Sequence, residues 1–121
     1  MKRLVLFIAL CISTTNLFAD GRVFCEIREY HTIGKATKVA IDFGQEQSGL
    51  HAQVLADDNG EAILFNSPIE ALNYMESLGW TFIQAYFTEI DSISTVRWLM
   101  CKDVVEGTDP YEGLQVKKAL L

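Results

Sequence analysis

The sequence predicts an α+β domain, a small and mainly antiparallel sheet of about four to six strands with one main helix packed on one face. Three observations predict it. Segments rich in β-branched and aromatic residues recur along most of the 121-residue chain, Asn59-Gly60 separates two of them, and one stretch, Ser67 to Gly79, carries helix signals at both ends.

Val23 to Thr32 and Ala36 to Phe43 have strand composition, and Ile33-Gly34-Lys35 between them suits a hairpin. Val39, Ile41 and Phe43 alternate with Lys38, Ala40 and Asp42, so the second strand has one apolar face. Gly44 to Gly49 reads as a loop. Leu50 to Ala56 and Glu61 to Phe65 then flank Asp57-Asp58-Asn59-Gly60, where Asn-Gly tolerates the positive φ angles of a tight turn and predicts a second hairpin. From Ser67 the signals change. Ser67 is placed to cap, Pro68 suits the first helical position, and Glu70 sits at the capping-box partner position. Ile69, Leu72, Met75 and Leu78 recur at three-residue steps with Ala71 in the same stripe, and Gly79 allows a left-handed stop that folds Trp80 back onto the last turn. Thr81 to Thr88 and Thr95 to Val104 close the pattern as an antiparallel pair. Strict alternation puts Ile83, Ala85 and Phe87 on one side of the first, and Phe82, Gln84 and Tyr86 on the other. The expected core is Val23, Ile27, Val39, Ile41, Leu64, Leu72, Met75, Leu78, Ile83, Phe87 and Leu99.

The chain divides into residues 1–19, 20–104 and 105–121. Met1-Lys2-Arg3 is basic, Leu4 to Ile12 is an unbroken apolar run, and Ser13 to Asn16 turns polar before Leu17-Phe18-Ala19. This three-part layout reads as an export signal cleaved after Ala19. The apolar run is about half of the roughly 20 residues a membrane-spanning helix needs, so no transmembrane segment is expected after cleavage, and the protein is expected in the periplasm or outside the cell. In the C-terminal segment, Asp109-Pro110-Tyr111-Glu112 repeats the capping-box logic and suggests a short helix, which Gly113 weakens by about 1 kcal/mol relative to alanine.

Loss of residues 1–19 removes Lys2 and Arg3 and no acid, leaving 8 basic against 16 acidic residues and a net charge of −8. Such a surface repels phosphate backbones, because affinity for nucleic acid rests on Lys and Arg displacing counterions; nucleic acid is not an expected partner.

Asp42-Phe43-Gly44-Gln45, Phe65-Asn66-Ser67, Ala71-Leu72-Asn73-Tyr74-Met75, Gly79-Trp80, Gln84-Ala85-Tyr86 and Trp98-Leu99 together resemble a group of short exported proteins of unknown function from Gram-negative gut anaerobes. The resemblance covers roughly residues 20 to 104. It implies an exported domain and no reaction, ligand or catalytic residue.

Candidate sites divide into surface, thiols and metal. One helix of about eleven residues spans about 17 Å and cannot cover both faces of such a sheet. Phe82, Tyr86, Trp98 and Met100 are therefore the candidate interaction surface, on the face away from the helix; the alternative is that the segment from Val104 to Leu121, or a second copy, covers them. Cys25 and Cys101 fall in the first and last core strands and are a candidate disulfide, with two separate buried thiols as the alternative. His31 lies six residues from Cys25, about 20 Å along an extended strand, too far to serve as its base. No cysteine or histidine has zinc-ligand spacing, and the Asp57–Glu61 turn lacks calcium-loop ligands at the flanking positions. The sequence assigns no catalytic, cofactor-binding or metal-binding residue. The expected function is an exported, non-enzymatic binding or interaction module for an unidentified protein or cell-envelope partner. A structural homo-oligomer and a small periplasmic enzyme are the alternatives.

Overall fold

The first and fifth strands form the spine of the molecule, because each carries large apolar residues on one face at every second position. In the computed structural model, residues 21–30, 34–46 and 52–119 are described; the segment expected to be an export signal, His31 and His51 lie outside them. The elements are β1 (Arg22–Tyr30), β2 (Lys38–Asp42), β3 (Gln53–Leu55), α1 (Pro68–Ser77), β4 (Thr81–Ile90), β5 (Ile93–Asp103) and β6 (Val116–Lys118). They build one six-stranded antiparallel sheet in the order β4-β5-β1-β2-β3-β6. Among the described residues the fold is mainly β with a single helix.

The register assigns the faces. Cys25 lies opposite Met100 and Ile27 opposite both Trp98 and Ile41, so these side chains share one side of the sheet. The helix packs there: Ala71 and Met75 join Cys25, Ile27, Val39, Ile41, Leu55, Phe65, Trp80 and Met100 in one buried cluster. Trp80 is fully buried because the helix ends as anticipated. Gly79 at φ +96° donates its N–H to the Glu76 carbonyl at 2.9 Å and Trp80 to the Met75 carbonyl at 3.1 Å, which turns the indole back under the last turn. Ser67 occupies the N-cap but makes no side-chain cap bond, and Glu70 instead accepts from the Asn66 amide at 2.7 Å.

The second hairpin turn is built as its residues dictate. The Asp57 carboxylate accepts from the N–H of Asn59 and of Glu61, and Gly60 donates to the Asp57 carbonyl at 3.0 Å. The strand expected over Glu61 to Phe65 is reduced to isolated bridges at Ala62 and Phe65.

Two expectations are corrected. Residues 105–121 do not form a terminal helix among the described positions: turns around Tyr111 lead into β6, which pairs with β3 and so belongs to the main sheet. Tyr111 and Leu114 pack on the helix side, with the Tyr111 ring 5.3 Å from Phe43 and 6.3 Å from Trp80. The core also loses Leu64, Ile83 and Phe87, all exposed, while Leu55, Phe65 and Trp80 are fully buried in it.

Candidate interaction surface

The geometry of the β4–β5 hairpin decides which of its side chains any partner meets. Its turn is only Asp91-Ser92, both at positive φ (52° and 66°), so the two strands pair through Ile90 and Ile93 to the tip. Between Phe82 and Gln84 the register slips by one residue at Ile83. Such a bulge leaves one residue unpaired and reverses the alternation beyond it. Phe82, opposite Met100, therefore shares the helix side with Ala85, opposite Trp98, and with Phe87, opposite Val96. Gln84, Tyr86 and Thr88 take the other side, which carries no helix.

The four residues expected to form one surface are thus divided. Phe82 is half exposed on the helix side; Met100 is buried at 1% exposure and Trp98 packs against the same core. Tyr86 alone of the four is on the open side. Composition suggested a continuous aromatic face, and the inserted Ile83 breaks it.

On the open side the middle of the sheet is polar. Arg97 donates to the Glu26 carboxylate at 2.5 Å, Tyr86 donates its hydroxyl to the other oxygen of Glu26, and Arg97 Nε donates to Thr88 Oγ1 at 2.9 Å. Glu26 and Arg97 are diagonal neighbours, since Glu26 lies opposite Leu99 and Arg97 opposite Arg28. The diagonal contact offsets like charges held directly across the strands. Beside it lies a shallow depression of about 250 Å³ bordered by Glu26, Arg28, Ala40, Asp42, Gln53 and Arg97. Further along, Ala40, Val54 and Ala119 form a small second apolar cluster under β2, β3 and β6. A cross-strand ion pair of this kind leaves no mark in a single sequence, because it depends on register.

The cysteines are both buried and free. Cys25 faces the helix side beside Met100, whereas Cys101 pairs with Phe24 and leaves the sheet on the open side. A disulfide would have to pass through the sheet, so the expected bridge is excluded by parity. Burial pushes the Cys25 thiol up to about 12, with Cys101, Asp42 and Glu26 adding to the effect, which keeps it protonated and non-nucleophilic at neutral pH. Among the described residues no three His, Cys, Asp or Glu side chains are grouped to hold a metal ion, and no helix is long and apolar enough to cross a membrane.

What remains exposed and apolar is the β4–β5 ribbon. Phe82 is 47% exposed, Phe87 76%, Ile90 66% and Ile93 69%, and β4 is the sheet's terminal strand with nothing paired to its outer side among the described residues. No family model, no curated protein and no solved structure matches the chain.

Proposed function

We propose that the protein is an exported, non-enzymatic interaction module that binds a protein partner by pairing an extended strand with the outer edge of β4. The observation that carries this reading is the length and composition of that edge: ten residues, Thr81–Ile90, with Phe82, Ile83, Phe87 and Ile90 exposed along it. An open edge offers a row of backbone N–H and C=O groups, and strand addition satisfies them while side chains at alternate positions supply selectivity. The opposite edge is treated differently. β6 is three residues long and carries Lys117 and Lys118, the short, lysine-bearing form that blunts strand pairing. The export reading rests on the leader-like start of the chain, and the resemblance to short exported proteins agrees with it.

A photo-crosslinking amino acid placed at position 87 or 90 tests this in the cells that make the protein. Light-dependent adducts from both positions, and none from the same group at position 117 on β6, are expected. Absence of adducts from β4, or equal adducts from β6, refutes the pairing edge.

A further inference from the structure

We propose that the open face of the sheet holds a carboxylate-binding site, in which Arg28 and the free edge of the Arg97 guanidinium take a small acid or the carboxylate end of a peptide into the depression beside Glu26. The inference is independent of the β4 edge and rests on how the charges of the middle strands are spent. Glu26 and Arg28 leave the open side of β1, and Arg28 lies directly opposite both Arg97 and Ala40. Like charges held across neighbouring strands cost stability unless each is answered by an opposite charge. Arg97 is answered by Glu26 through Nη1 at 2.5 Å, and its Nε is held by Thr88. Arg28 is half-buried and makes no hydrogen bond or ion pair among the described residues. With 16 acidic against 10 basic residues in the chain, carboxylates are plentiful, and the fold leaves this one guanidinium unspent beside a cavity.

The rest of the depression selects the ligand. Ala40, opposite Arg28, is too short to fill the space beside it, which leaves about 250 Å³. That is small beside the roughly 300–1,000 Å³ of drug-sized ligand sites, so it suits an acid of a few atoms or a chain end rather than a large cofactor. A planar carboxylate matches the fork of a guanidinium with two parallel N–H···O bonds. Its single charge also suits a site that Glu26 and Asp42 border; a phosphate dianion would meet two like charges there. Glu26 is already engaged by Arg97 and Tyr86, and Asp42 accepts from the Gly44 N–H at 3.0 Å, so Arg28 is left to the incoming anion.

NMR titrations of the full chain as the cell produces it, following backbone amide and arginine Nε–H signals, test the site. The probes are propionate, N-acetylalanine as a chain-end carboxylate, N-acetylalaninamide as its uncharged counterpart, and inorganic phosphate. Both carboxylates are expected to give saturable shifts centred on Arg28, Ala40 and Arg97, with a Kd on the order of 1 mM, and the amide none. Tighter binding of N-acetylalanine assigns the site to peptide ends, and equal or tighter binding of propionate assigns it to free acids. Arg28→Gln is expected to raise both constants by about tenfold or more. Arg28→Lys keeps the charge without the fork and raises them less, and Lys35→Gln, at an exposed position outside the site, leaves them unchanged. Unshifted signals elsewhere in the spectrum show that each variant is folded. No saturable shift from either carboxylate overturns the proposal, as do equal shifts from the amide, tighter binding of phosphate, or constants that Arg28→Gln leaves unchanged.

Discussion

Phe82 and Tyr86 are four residues apart on β4 and leave opposite faces of the sheet, because Ile83 is unpaired between them. Phe82 lies opposite Met100 on the helix side, and Tyr86 donates to Glu26 on the open side. Separated by the sheet and sharing no partner, they are energetically independent. Tyr86→Phe is expected to cost about 1 kcal/mol, the loss of one hydrogen bond to a partly exposed carboxylate. Phe82→Ser adds its own cost, and the double variant equals the sum to within about 0.5 kcal/mol in urea unfolding. A larger coupling would place the two on one face.

Met75 and Ile69 sit on the same predicted helical stripe but differ in the folded chain. Met75 is fully buried and Ile69 is 60% exposed. Met75→Ala is expected to lose about 2–5 kcal/mol and Ile69→Ala less than about 0.5 kcal/mol in the same assay. Comparable losses would mean that the helix is rotated about its axis.

Cys25 gives the stability a pH dependence with a definite sign. Its folded thiol is raised from 9.0 to about 12, so the native state holds a proton that the unfolded chain releases first. The contribution is fully present below pH 9 and declines as pH rises toward 12, by about 1.4 kcal/mol per unit at most. Chemical unfolding between pH 8 and 11, run on the wild type and on Cys25→Ala, is expected to show a shallower alkaline decline in the variant. Equal slopes would remove Cys25 as a source.

Asp91 and Ser92 hold positive φ without being glycine, a conformation that costs a side-chain-bearing residue about 1–2 kcal/mol. Ser92→Gly is therefore expected to raise the melting temperature, by a gain of about 1 kcal/mol offset in part by the freer unfolded chain. A lower melting temperature would show that the Ser92 hydroxyl has a role that its backbone angle does not explain.

The legible parts of the molecule are those set by neighbours in sequence. Asn59-Gly60 marks its turn, Pro68 and Gly79 bound the helix, and the alternation in Val39, Ile41 and Phe43 gives the buried face of β2, because each signal acts over a few residues. The surface was harder to read. A single unpaired residue at Ile83 changes no composition and yet sends Phe82 to the helix side and Tyr86 away from it. Cys25 and Cys101 illustrate the same limit: both lie in core strands, and only the pairing of Cys25 with Met100 and of Cys101 with Phe24 reveals that they face apart. The edge position of β4 is likewise a fact of strand order, which local composition does not encode. Leu64 and Phe87 look like core residues by type, and the chain is too short to cover every apolar side chain its strands present.

Amide hydrogen exchange along β4, measured on the protein alone and on its complex isolated from the cells that make it, tests most directly whether this edge is where the molecule finds its partner. The account predicts that the outward-facing amides between Phe82 and Ile90 exchange fast in the protein alone and become protected in the complex, while those of β6 stay unchanged. Fast exchange of the outward-facing β4 amides in the complex as well would contradict it.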